Sequence, residues 1–99
     1  MEGFIESSIR SDFERFHARH PWVADHLEEM AESWFATGRE RCSIGMLWEA
    51  LRYQYGVHAR PGAARTGFPN ALRSRYAREL MRRRPEWRGQ FTTRPLVAE

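Results

Sequence analysis

The sequence contains no lysine, and all 16 of its strongly basic residues are arginine. Arginine's planar guanidinium suits bidentate recognition of phosphate and guanine, so an arginine-only chain fits a nucleic-acid-binding protein. A GC-rich genome, which encodes arginine in place of lysine everywhere, explains the same composition. The absence of lysine alone therefore does not decide between these two explanations.

Cysteine and long apolar runs are also scarce. Cys42 is the only cysteine, so no internal disulfide can form and nothing points to an oxidising compartment. The longest apolar run is far shorter than the roughly 20 residues that a membrane span requires. The first ten residues, MEGFIESSIR, are acidic and lack the apolar core of a secretory signal. We therefore expect a cytoplasmic protein that does not enter the membrane.

Alternating strand patterns are essentially absent, whereas apolar residues recur at three- and four-residue steps. The 99 residues are 41% hydrophobic and 13% aromatic, enough for one small core and too apolar for a disordered chain. We predict a single all-α domain spanning 1–99, a compact bundle whose two termini, 1–10 and 95–99, are frayed. The predicted helices cover about 11–19, 22–37, 43–56 and 70–84, with a long loop at 57–69 and a short turn around 86–89.

Capping residues and helix breakers mark the ends of these helices. Ser11, followed by Glu14 three residues later, is typical of a capping box at a helix start. The other signals are Pro21 in a first helical turn, Gly38 and Gly56 after helix ends, and Ser43 and Asn70 as N-caps.

Charge is distributed unevenly along the chain. Residues 1–50 hold five arginines and ten acidic residues, a net charge of −5, whereas residues 51–99 hold eleven arginines and three acidic residues, a net charge of +8. Codon bias does not segregate sign in this way. The basic half is typical of a surface that binds a polyanion. Packing of the acidic half on the basic half, within one chain or between two copies, would account for the pattern equally well.

The segment NALRSRYARELMRRRP, residues 70–85, concentrates six of these arginines with a single acidic residue. On a helix, Leu72, Tyr76 and Leu80 fall on one side. Arg75, Arg78 and Arg82 cluster nearly opposite them, and we call these three residues the arginine face. Contact with phosphate, contact with an acidic surface of this chain or of a partner, and simple solvation are three interpretations of this face. The first predicts a nucleic-acid interface.

The predicted interface extends beyond the arginine face to residues on either side. Its members are Arg75, Arg78, Arg82, Ser74, Asn70, Arg83, Arg60 and Arg65. A helix-turn-helix arrangement would use 43–56 to support 70–84 as the recognition helix, although the connection is longer than usual. The alternative, with 43–56 as the recognition helix, would expose mainly Glu49, Arg52 and Gln54, a poor match to a polyanion.

Other chemistries have little support. The four histidines and Cys42 match no zinc-binding spacing, and the glycine spacings lack the Lys-Ser/Thr of a phosphate loop. Cys42 stands in no nucleophile motif. We therefore expect no metal, no cofactor and no enzymatic activity.

The tryptophans raise the possibility of an interface. Trp22, Trp34, Trp48, Trp87 and Phe91 are more large rings than one small core readily buries. Some of them would then lie at a contact between two copies, and a homodimer would suit two-fold DNA recognition. The other interpretation is that these rings fill the grooves between helices.

Three motif groups resemble a family of small proteins, about a hundred residues long, from phages, prophages and bacterial mobile elements. They are F-x-x-F-H-x-x-x-P-x-V, S-I-x-x-L-x-E-x-L-R, and N-x-x-x-x-x-Y-A-R-x-L-M followed by P-E-x-x-x-x-F-x-x-R, within residues 13–94. The resemblance implies a phage or mobile-element protein acting inside a host bacterial cell, where such proteins are often DNA-binding regulators or inhibitors of host machinery. It supplies no catalytic or cofactor residues. We therefore expect a regulatory protein that binds double-stranded DNA, or alternatively an inhibitor or adaptor that binds a host or phage protein through the same basic face.

Overall fold

The computed structural model describes residues 2–58 and 69–92, with side chains for 10–57 and 69–91. In this part of the chain the fold is an all-α bundle, as the sequence predicts. Its elements are α1 (Glu2–Arg19), α2 (Pro21–Phe35), β1 (Cys42–Ser43), α3 (Ile44–His58), a 3₁₀ turn (Asn70–Leu72), α4 (Arg73–Arg83), a second 3₁₀ turn (Pro85–Trp87) and β2 (Phe91–Thr92). None of the helices in the described residues is long and apolar enough to cross a membrane.

The core is formed where α2, α3 and α4 pack against one another. Trp48 of α3 and Tyr76 of α4 lie at its centre, fully buried, with ring centroids 5.4 Å apart. Leu27 of α2 is fully buried in the same cluster. Phe13 and Phe16 of α1 cover Tyr76 from outside, with ring centroids 4.9 and 6.2 Å from its ring. These contacts place one face of α4 inward and the opposite face toward solvent.

Three predicted helix ends are confirmed. Pro21 opens α2, where its fixed φ suits the first turn and its missing N–H is not needed. Ser43 caps α3, because its Oγ accepts a hydrogen bond from the backbone N–H of Met46 at 3.2 Å. Gly38, which follows the end of α2, has φ +94°, a conformation that glycine adopts without strain.

Three other predicted helix ends are wrong. Helix α1 begins at Glu2, so Ser11 lies inside a helix and forms no capping box. Helix α3 continues through Gly56 to His58, because a glycine weakens a helix without ending it. Asn70 starts a 3₁₀ turn whose N-cap is Pro69, and α4 itself begins at Arg73 with no side-chain cap.

The structure also contains a short parallel pairing between β1 and β2 that the sequence pattern does not predict. Cys42 is opposite Phe91 and Ser43 is opposite Thr92, and the Cys42 N–H donates to the Gln90 carbonyl at 2.8 Å. Two residues are too few for an alternating pattern. The pairing holds the segment after α4 against the start of α3.

The aromatic residues divide between core and surface. Trp48, Trp87 and Phe91 are buried, which confirms for these three that they fill grooves between elements. Trp34 is half-buried and its indole N–H donates to the Arg41 carbonyl. Trp22 is 40% exposed and stacks on Tyr55.

Candidate nucleic-acid interface

Helix α4 has the two faces that its sequence predicts. Leu72, at the end of the 3₁₀ turn, and Tyr76 and Leu80 are each no more than 2% exposed. On the other side, Arg78 is exposed and the Arg82 side chain is 71% exposed. Arg75 is half-buried and so less exposed than these two residues, which makes the arginine face less accessible at its N-terminal end than the helical pattern alone indicates.

Arg82 is held by a residue of its own helix. Its Nε and Nη2 donate to the two carboxylate oxygens of Glu79, at 3.0 and 2.7 Å. This bond raises the pKa of the Arg82 guanidinium above its ordinary value. An external phosphate would therefore meet a guanidinium already oriented by Glu79, with its charge partly offset.

Asn70 lies in the 3₁₀ turn that precedes α4 and accepts hydrogen bonds from two further arginines. Its Oδ1 accepts a hydrogen bond from Arg52 Nη2 at 2.7 Å, and its backbone carbonyl accepts one from Arg73 Nε at 3.3 Å. Arg52 comes from α3 and also pairs with Glu49 at 2.9 Å. The predicted interface omits both Arg52 and Arg73. A helical wheel drawn for α4 cannot show that Arg52 of α3 reaches Asn70. Ser74 is half-buried on the adjoining turn.

Arg83 differs from the arginine face, because it points toward α2. Its Nε donates to Glu79 at 2.9 Å, and its Nη1 contacts Asp25 at 2.9 Å and Glu28 at 3.1 Å. The side chain is 23% exposed. Although burial opposes the charge, the hydrogen bonds that Arg83 donates to three carboxylates dominate and raise the pKa of its guanidinium.

Arg84 extends the same contact along α2. Its Nε donates to Glu28 at 2.9 Å and its Nη2 to Glu32 at 3.1 Å, while its guanidinium lies 4.9 Å from the centre of the Trp87 ring. We call Arg83 and Arg84, together with Asp25, Glu28 and Glu32, the ion-pair cluster. The three acidic residues are three and four positions apart, which places them in one row on α2.

This cluster accounts for part of the charge asymmetry of the sequence. The interpretation that the acidic half packs on the basic half is confirmed for Arg83 and Arg84, since both pair with acidic residues of α2. Arg83 thus stands apart from the other predicted interface residues. The arginine face belongs to the outward side of α4, whereas Arg60 and Arg65 lie outside the described residues.

The remaining polar candidates give little chemistry. Burial raises the pKa of the Cys42 thiol to about 11, so it is protonated and poorly nucleophilic near neutral pH. Across 2–58 and 69–92, no group of three histidine, cysteine, aspartate or glutamate side chains could hold a metal ion.

Comparisons with known protein families, curated proteins and solved structures found no match to this chain. The resemblance to small phage and mobile-element proteins therefore stays a prediction.

Proposed function

We propose that this protein binds the phosphate backbone of nucleic acid, double-stranded DNA above all, through the arginine face of α4. The observation that carries the proposal is the outward position of Arg78 and Arg82, on the side of α4 opposite its buried residues. The acidic row of α2 forms ion pairs with Arg83 and Arg84, so it does not cover the arginine face.

The dimensions of the arginine face suit a phosphate backbone. Arg75 and Arg82 are seven residues apart, about 10 Å along a helix axis. That distance corresponds to roughly three nucleotide steps of one DNA strand. Ser74 and Asn70 lie on the N-terminal side, and Arg52 and Arg73 are drawn to Asn70 there, which would extend the contact.

Phosphate contacts position a protein on DNA without reading its sequence. The arginine face would therefore give affinity for DNA of any sequence, and recognition of a particular sequence would need base contacts in addition. We further propose that the protein acts in the cytoplasm of a host bacterium as a phage or mobile-element regulator. A homodimer, with α3 supporting α4 in a helix-turn-helix-like manner, would then present two arginine faces to one duplex.

A second candidate is binding to an acidic protein surface. It is favoured by the ion-pair cluster, in which two arginines of this same segment already hold a row of carboxylates on a helix. Arg78 and Arg82 could hold a similar row on a host or phage protein. If the chain binds such a partner and not DNA, excess duplex DNA does not displace the partner.

An electrophoretic mobility shift on random and phage-derived duplexes, at low and moderate salt, tests the first proposal. The test variant replaces Arg75, Arg78 and Arg82 with alanine. A charge-matched control replaces three exposed arginines elsewhere, Arg15, Arg19 and Arg41, with alanine. We expect the wild type and the control to shift DNA at low salt, and the test variant to shift it weakly or not at all.

Failure of the wild type to bind any duplex at low salt would reject the proposal. Equal losses in the test and control variants would show that only the net charge matters and that α4 has no special role.

A further inference from the structure

Helix α3 carries a second apolar face on its solvent side. Met46, Tyr53 and Val57 are 38%, 73% and 58% exposed, and Ala50 is half-buried between them. These four residues, which we call the outer face of α3, are spaced by four, three and four positions. That is the spacing of the apolar seam in a coiled coil.

The outer face of α3 is separate from the core. Ile44, Leu47, Trp48 and Leu51 are the buried residues of α3, and they fall on its other side. The only other large apolar side chain exposed to a similar degree in the described residues is Trp22. Three of four such side chains thus lie in one row, which differs from the single scattered residues usual on protein surfaces.

The charges that α3 itself contributes beside this face balance each other. Glu49 and Arg52, the charged residues of α3 before its final His58, pair with each other at 2.9 Å. A polyanion would gain nothing from such a face, whereas an uncharged apolar helix would meet no unpaired charge on it.

We propose that the outer face of α3 packs antiparallel against the same face of a second copy of this chain. A two-fold axis near the middle of the row would place Ala50 opposite the partner's Tyr53, and Met46 opposite the partner's Val57. Each layer then combines a smaller side chain with a larger one, so the row is complementary to itself. A parallel arrangement would instead oppose two tyrosines in one layer and two alanines in the next.

Opposed helix dipoles also favour the antiparallel arrangement. Four residues per chain cover much less area than the roughly 800 Å² per partner of a stable interface, so we expect a weak dimer that forms only at high protein concentration. The inference does not depend on the proposed nucleic-acid binding, because the two use different faces and different helices.

Sedimentation equilibrium of the purified chain, from micromolar to millimolar concentration, tests the proposal. The wild type should pass from monomer to dimer. Tyr53→Glu should weaken the association by about tenfold or more, because it places a charge opposite an alanine in a closed contact. Ser33→Glu, which adds the same charge at an exposed site on α2, should leave the association unchanged.

Cross-linking tests the orientation. In the antiparallel dimer a chain carrying Ala50→Cys should form a disulfide with a chain carrying Tyr53→Cys, and either chain alone should form little. The native Cys42 is buried and should not interfere. Circular dichroism confirms that each variant folds, which the exposure of Tyr53 favours.

A wild type that stays monomeric at every concentration would overturn the proposal. So would a dimer that Tyr53→Glu leaves intact, or Ala50→Cys chains that link to themselves more readily than to Tyr53→Cys chains. None of these results would bear on duplex binding by the arginine face, which the mobility shift measures separately.

Discussion

Replacing Glu28 with glutamine should destabilise the fold through the ion-pair cluster. Glu28 lies on α2 and is 24% exposed, and its two oxygens accept hydrogen bonds from Arg83 at 3.1 Å and from Arg84 at 2.9 Å. The amide keeps the size of the side chain but removes its charge and one of its acceptors. One of the two guanidiniums would then lose its bond to this side chain, and the other would keep a bond to an uncharged oxygen.

The size of the effect follows from the bonds that change. A hydrogen bond to a charged group contributes about 1.5–3 kcal/mol net. Glu28→Gln loses one such bond and weakens the second, while Asp25 still holds Arg83 and Glu32 still holds Arg84. We therefore expect the free energy of unfolding to fall by about 2 kcal/mol, and the melting temperature of a domain of this size to fall by about 8–16 °C.

Urea unfolding followed by tryptophan fluorescence measures this change, since Trp48 and Trp87 are buried in the folded state. Glu29→Gln is the matched control, because Glu29 is the next residue of α2, is exposed, and forms no ion pair with the described residues. High salt should reduce the difference between the two variants, since the cluster is only partly shielded from solvent. Equal stability of the two variants at low salt would refute the assignment of a stabilising role to the cluster.

Three further predictions concern stability. Hydrogen bonds from Arg84 to Glu28, and from Arg82 to Glu79, lower the pKa of both carboxyl groups. Their contribution to stability should be complete above the ordinary pKa of 4.5 and be lost as the pH falls through the lowered values. The free energy of unfolding should therefore fall less steeply with acid in a Glu28→Gln, Glu79→Gln double variant than in the wild type. Tyr76→Phe should leave the free energy of unfolding in urea equal to that of the wild type or up to about 1 kcal/mol higher, because the buried hydroxyl, whose pKa burial raises, has no hydrogen-bond partner among the described residues. A clear loss of stability would reveal a bond that the described structure does not contain. Gly56→Ala should stabilise α3 by about 0.5–1 kcal/mol in thermal unfolding, because an added Cβ meets no atom within 4 Å, and destabilisation would contradict the described helix.

The apolar faces of α2, α3 and α4 could be predicted from the sequence because each is a local repeat. The spacing of Leu72, Tyr76 and Leu80 alone indicates which side of α4 is buried, and the structure confirms it. Helix ends were less predictable. Asn70 is a common N-cap residue, yet its side chain accepts a hydrogen bond from Arg52, a contact 18 residues away in the chain.

The division of the arginines could not be predicted from periodicity. Arg82 and Arg83 are neighbours, but Arg83 reaches Asp25, 58 residues away in the sequence, while Arg82 stays with Glu79. The uneven charge of the two halves suggests that acidic residues pack on basic ones, but it does not identify which arginines take part. Only the placement of α2 beside the C-terminal end of α4 separates the ion-pair cluster from the arginine face.

The salt dependence of duplex affinity tests this division most directly. Fluorescence anisotropy of a labelled duplex, titrated with protein at several salt concentrations, gives the slope of log affinity against log salt. Each phosphate contact contributes about −0.9 to that slope, so replacing Arg75, Arg78 and Arg82 with alanine should make it shallower by about 2–3. The control that replaces Arg15, Arg19 and Arg41 should keep the wild-type slope. A wild type that does not bind at low salt, or two variants with the same slope, would contradict the claim that the outward face of α4 binds the polyanion.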